Sequence, residues 1–283
     1  MKAELLVSTQ TLAVHLDDAQ WVVFDVRHDL ADVGKGRRAY LEGHIPDAYF
    51  LHLEEDLSGE KTGTNGRHPL PPLDAFAAKM NACGVAPGKQ VVIYDDTGGC
   101  YAVRLWWMLH WLGHDRVALL DGGWPQWLKE GRAVDKAIPA PRAGSFVPRP
   151  HLGSEVDAAY VDIARRDATV ALIDARAAPR FRGEQEPLDA KAGHIPGAVN
   201  RFWQSNMDTD GRFKAANLLR SEFAALLGDR AAQRTVHYCG SGVTACHNLF
   251  AMELAGLAGS RLYPGSWSEW SADPSRPVAT GDK

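Results

Sequence analysis

The sequence predicts an α/β protein made of two similar domains in tandem, each a mostly parallel sheet with helices on both faces. Three observations predict it. Four blocks occur twice, in the same order. Within each copy, short apolar runs alternate with helical patterns, as buried parallel strands and their crossover helices do. Between the copies lies AIPAPRAGSFVPRPHLG, residues 137–153, whose prolines and glycines suit an extended linker. The 283 residues, 45% hydrophobic and 23% charged, give each half enough chain for its own core. The expected division is 1–136, linker 137–153 and 154–283.

In chain order, WVVFDVR ending at Arg27 matches TVALIDAR ending at Arg176, so Asp25 meets Asp174. GHIPDA at Gly43–Ala48 matches GHIPGA at Gly193–Ala198. QVVIYDDTGG matches RTVHYCGSGV, which sets Asp95 opposite Cys239. DGGWPQW matches PGSWSEW, pairing Trp124 with Trp267 and Trp127 with Trp270. Val22–Phe24, Val91–Tyr94, Val170–Ile173 and Val236–Tyr238 read as strands. Ala102–Trp111 and Ala245–Leu257 read as helices, each following a glycine-containing loop. Asp25, Asp174, His44 and His194 occur in both copies, which points to turns and packing rather than chemistry.

Composition narrows the function classes. The net charge is −4 with both signs interspersed, and no Lys/Arg run offers a nucleic-acid or membrane surface. The start, MKAELLVSTQTLAVHL, lacks a basic head, a long apolar run and a cleavage site. No stretch approaches the ~20 apolar residues of a membrane span. A cytoplasmic address follows. The four cysteines, Cys83, Cys100, Cys239 and Cys246, form no C-x-x-C pair, so they are expected as free thiols and not as a zinc site. Cys83 and Cys100 read as small buried apolar residues.

Cys239 is different. In VHYCGSGVTACHN an apolar strand ends at Tyr238, and Cys239, Gly240, Ser241, Gly242, Val243 and Thr244 lead into a helix. Such a turn can point consecutive amide hydrogens inward, and the helix start adds positive partial charge. A thiolate or persulfide anion there would be stabilised. Cysteine phosphatases use a similar loop with an arginine at the sixth position after the cysteine; here that position is Ala245, which argues against phosphate-ester hydrolysis. A binding module without catalysis would explain the first copy, but not the Cys239 loop of the second.

GHIP in both copies, DGGW and GSW, RFRG and CGSGVTACH together resemble the tandem-domain rhodanese family, the thiosulfate and 3-mercaptopyruvate sulfurtransferases. The resemblance covers nearly the whole chain and implies two rhodanese-like domains, the second catalytic and the first without its cysteine. CGSGVT resembles the mercaptopyruvate form of the loop, since thiosulfate-preferring members carry basic residues after the cysteine. Arg180 matches the family's substrate arginine and Arg182 neighbours it, and with them the resemblance implies substrate binding by the loop residues Gly240, Gly242, Val243 and Thr244. Asp189 stands near the position of a second family arginine, where an acid would repel a carboxylate, and Lys191 offers a partial replacement. The family's Ser–His–acid relay falls on Ser241, His68 and Glu54. His247 lies too far along the helix to reach the sulfur. The implied reaction takes sulfur from mercaptopyruvate, or alternatively thiosulfate, onto Cys239 and passes it to a thiol such as thioredoxin or to cyanide, with no metal or organic cofactor.

Overall fold

The computed structural model describes residues 4–282. The chain forms two compact units. The first takes in residues up to Gly59, Pro71–His151 and Asp210–Arg212; the second comprises Glu60–Leu70, Leu152–Thr209 and Phe213 onward. Grouping by contacts differs from the expected 1–136, 137–153 and 154–283 in three places: the linker as far as His151 joins the first unit, residues 60–70 the second, and 210–212 the first. The Pro-rich stretch is not a free linker: Arg142, Ser145, Arg149 and His151 donate their amides to carbonyls of Ala82, Val85, Leu112 and Trp111, and Phe146 packs edge-on against Phe76. Residues 60–70, which carry His68, group with the second unit.

The first sheet holds β1 (Leu6–Val7), β2 (Trp21–Asp25), β3 (Tyr49–Phe50), β4 (Gln90–Tyr94) and β5 (Val117–Leu120), in the order β1-β5-β4-β2-β3. The second holds β6 (Ala171–Asp174), β7 (Ala198–Asn200), β8 (Thr235–Tyr238) and β9 (Arg261–Leu262), in the order β7-β6-β8-β9. Every pairing among these strands is parallel. The second order repeats β3-β2-β4-β5, so the sequence repeat is a repeat of topology.

The strands are apolar throughout because both faces are covered. In the second unit Leu172, Val236 and Tyr238 point into a core with Trp267 and Trp270. Their neighbours Ala171 and Ile173 face the opposite way, into Leu219, Phe223, Ala251 and Met252. The helix after β8 ends at Leu254, short of the expected Leu257. Gly256 adopts φ +72°, its amide donates to Glu253, and the Leu257 amide reaches back to Met252, a closure that needs a left-handed residue and stops the helix.

The shared blocks build shared scaffolding. Asp25 holds the Arg27 amide and guanidinium, and Arg27 in turn donates to the Gly43 carbonyl. Asp174, Arg176 and Gly193 repeat the arrangement. His44 stacks on Tyr40 and His194 on Phe181, each bonding that residue's carbonyl through Nδ1. Trp124 and Trp267 lie under Arg27 and Arg176. Among the described residues no helix is long and apolar enough to cross a membrane.

Candidate active site

Parallel strands leave their carboxyl ends as the natural place for a site, and β8 delivers Cys239 there. The residue is only 2% exposed, so its sulfur is sheltered from bulk water. Its amide donates to Ser266 Oγ at 3.1 Å, and its carbonyl accepts from the Trp267 amide at 3.0 Å. The Gly240 carbonyl accepts from the Ser268 amide. The GSW block thus clamps the backbone on both sides of the thiol. Gly242 has φ +77°, and a Cβ there would lie 2.3 Å from the Pro264 carbonyl oxygen, so no other residue fits. Among the described residues, the amides of Gly240, Ser241, Val243 and Thr244 donate to no backbone carbonyl. Buried main-chain donors seek acceptors, and an anion on the Cys239 sulfur is one.

Ser241 is buried, and its Oγ lies 2.7 Å from His68 Nδ1, itself buried. Two residues of the expected relay therefore meet. Glu54 belongs to the first unit, where its amide donates to His52 Nδ1. Arg180 lies on a short helix, Ala178–Phe181. A Cβ built on Gly240 would stand 3.6 Å from both of its terminal nitrogens. Glu186 holds this guanidinium at 2.6 Å and also reaches Arg176 at 3.1 Å. Arg182 is placed elsewhere: it forms an exposed fork with Glu184. Lys191 donates to the Asp273 carbonyl. His247 stacks on Phe213 and approaches Asn206, away from the loop's polar contacts.

Sequence reasoning missed two residues. Ser266 adopts φ +54° and is fully buried, its hydroxyl donating to the Tyr263 carbonyl while accepting from Cys239. A serine in a left-handed conformation is strained, and strain at such a place marks a constraint. Arg67 also escaped notice. Its Nη2 would be 2.7 Å from a Cβ on Gly240, and its Nη1 pairs with Asp189. The signals available were the serine where the first copy has Gly123, and the Arg immediately before His68.

The first unit's loop supplies a comparison. Asp95 sits where Cys239 does, and its carboxylate accepts four amides: Thr97 and Gly99 on Oδ1, Tyr101 and Ala102 on Oδ2, all within 3.0 Å. A turn of this kind, between β4 and the helix Ala102–Trp111, gathers four amide donors around one carboxylate group.

A profile of the rhodanese-like domain matches residues 8–130 and 157–273. A Pseudomonas aeruginosa protein named "Probable 3-mercaptopyruvate sulfurtransferase" is 49% identical over 100% of both chains. The Bos taurus thiosulfate sulfurtransferase is 34% identical over 83% of this chain and 80% of its own. The crystal structure of the Escherichia coli 3-mercaptopyruvate sulfotransferase superposes with a TM-score of 0.81 at 30% identity, covering 94% of this chain and 99% of that one. The repeated scaffold, the cysteine at the end of β8 and these likenesses agree: the chain belongs to the rhodanese family, as a sulfurtransferase with two rhodanese-like domains in tandem.

Proposed function

We propose that the chain takes a sulfur atom from 3-mercaptopyruvate onto Cys239 and delivers it from the persulfide to a thiol or to cyanide. The observation that carries this reading is a sheltered cysteine flanked by a fixed guanidinium, Arg180, and a hydroxyl–imidazole pair, Ser241 and His68. The Cys239 thiolate attacks the donor sulfur. The new S–S bond forms as the donor's C–S bond breaks, and the electron pair leaves on carbon as the enolate of pyruvate. Arg180 holds the donor carboxylate. Ser241, backed by His68, passes the proton released from sulfur to that carbon, which yields pyruvate and a persulfide anion among the loop amides. In the second half, an acceptor thiolate attacks the outer sulfur, and Cys239 departs as thiolate.

Thiosulfate is the second donor to weigh. The Bos taurus relative carries that name, and a dianion would also be drawn to the guanidinium at Gly240. Kinetics with both donors decide. The expected result is a kcat/KM at least tenfold higher for mercaptopyruvate, and a drop of roughly ten- to a hundredfold for that donor in Arg180→Ala. A higher kcat/KM for thiosulfate would replace mercaptopyruvate in the scheme.

A further inference from the structure

We infer that Arg67 is the second anion-binding residue of the site, completing with Arg180 a two-guanidinium clamp at Gly240, and that Asp189 holds it in place. Three observations converge. Arg67 Nη2 comes nearest to Gly240, at 2.7 Å from a Cβ built there, and both terminal nitrogens of Arg180 follow at 3.6 Å. Glycine keeps this approach open, so the two cations border bare backbone one residue from the thiol. Asp189 joins them: its Oδ1 pairs with Arg67 Nη1, and its Oδ2 stands 3.6 Å from Arg180 Nη2 with no hydrogen bond of its own among the described residues. The Asp189 side chain is 7% exposed. A carboxylate so placed orients two guanidiniums and does not simply repel a donor. Arg67 is anchored at its backbone as well, its amide donating to Ser268 Oγ beside the clamp on Cys239.

Two forks at one anion suit a donor with separated acceptor oxygens, such as the carboxylate and ketone of an α-keto acid. Arg180 serves one end, and Arg67, a flexible side chain on the segment that also carries His68, serves the other. Asp189 then tunes the pair: without it, Arg67 would keep its charge but lose its position.

This inference rests on the donor reading above, and its test separates the two. Steady-state kinetics with mercaptopyruvate are measured for the wild type, Arg67→Ala, Arg67→Lys, Asp189→Ala and the double variant Arg67→Ala/Asp189→Arg, with the Cys239 adduct followed by mass spectrometry at saturating donor. Arg67→Ala is expected to raise KM about tenfold with kcat changed less than about threefold. Arg67→Lys should recover only part of this, because an ammonium cannot fork. Asp189→Ala should raise KM by a smaller factor. The double variant should recover most of the loss, since it returns a guanidinium from the opposite side of the same contact. An unchanged KM in Arg67→Ala, with normal adduct formation, overturns the inference alone. Failure of the wild type to form the adduct overturns the donor reading instead. A fall in kcat and KM together, without rescue by the double variant, assigns Arg67 to holding the His68 segment and also overturns the clamp.

Discussion

At the ends of β4 and β8 one backbone design carries two different side chains, Asp95 and Cys239. Asp95 supplies its own carboxylate and fills its cradle with four amide bonds. Cys239 brings a smaller group to the matching place, and the amides of Gly240, Ser241, Val243 and Thr244 donate to no backbone carbonyl among the described residues. The surroundings diverge in the same sense. The second loop is bordered by Arg180, Arg67 and the Ser241–His68 pair. In the first, Trp124 donates to the Asp95 carbonyl just as Trp267 does to that of Cys239, but Gly123, at φ +56°, has no hydroxyl to match Ser266. The lesson is that the scaffold makes the cradle, and the side chain at its centre decides between stability and chemistry. An internal carboxylate satisfies the donors permanently. A cysteine at that place carries no carboxylate to fill the cradle, which the proposed persulfide would occupy when it forms.

Parallel substitutions at the two centres should therefore read out in opposite ways. Cys239→Ser is expected to abolish turnover, a loss of at least ~10³, while shifting unfolding free energy by less than about 1 kcal/mol. Asp95→Asn keeps the shape but removes the charge and turns a donor toward amides that need acceptors. It should cost about 2–4 kcal/mol in urea unfolding with the Cys239 chemistry intact. If Asp95→Asn proved neutral for stability, the carboxylate would not be the first loop's anion.

A second contrast lies one turn of strand earlier. His237 occupies the place of Ile93, fully buried, its Nε2 meeting the Met252 sulfur while Nδ1 has no hydrogen-bond partner among the described residues. Burial, with some help from the Arg201 charge, pushes its pKa down to about 3. The folded imidazole thus stays neutral over a range where the unfolded one takes a proton. Stability is retained above the ordinary histidine value and lost as pH falls from there toward the folded value. Between pH 7 and 5 the contribution is about 1–2 kcal/mol. His237→Ile, copying the first unit, should flatten this part of the pH profile of urea unfolding; an unchanged slope would place the acid sensitivity on other groups, among them His28, His114 and His194, whose pKa values burial also lowers.

The smallest effect sharpens the comparison most finely. Ser266→Gly copies Gly123. It should relieve left-handed strain, leaving stability equal or up to about 1 kcal/mol higher. Loss of the acceptor for the Cys239 amide should lower kcat/KM by roughly five- to tenfold. A residue that served only packing would move both quantities together.

Much of this was legible in the sequence because the chain writes its unit twice. The blocks around Asp25 and Asp174, or Trp124 and Trp267, gave the fold class, and the alignment of Asp95 with Cys239 separated the two centres. The glycines at 240 and 242 marked the loop. What was not legible depends on approach in space. Arg67 and Asp189 lie far apart in the chain, so an acid that seemed to oppose the donor is seen only in the structure to grip an arginine. Residues 60–70 read as part of the first domain by position but join the second through bonds such as His68–Ser241 and Arg67–Ser268. Ser266 was overshadowed by its neighbour Trp267, since no local pattern reveals that a hydroxyl will reach the Cys239 amide.

The central claim is that the β8 loop holds a persulfide on Cys239. Mass spectrometry of the intact protein after brief exposure to mercaptopyruvate, followed by peptide mapping, tests it most directly. The account predicts a gain of one sulfur atom located at Cys239, removed by cyanide or a thiol and absent from Cys239→Ser. A protein that gains no sulfur from mercaptopyruvate or from thiosulfate, or gains it equally in Cys239→Ser, would contradict it.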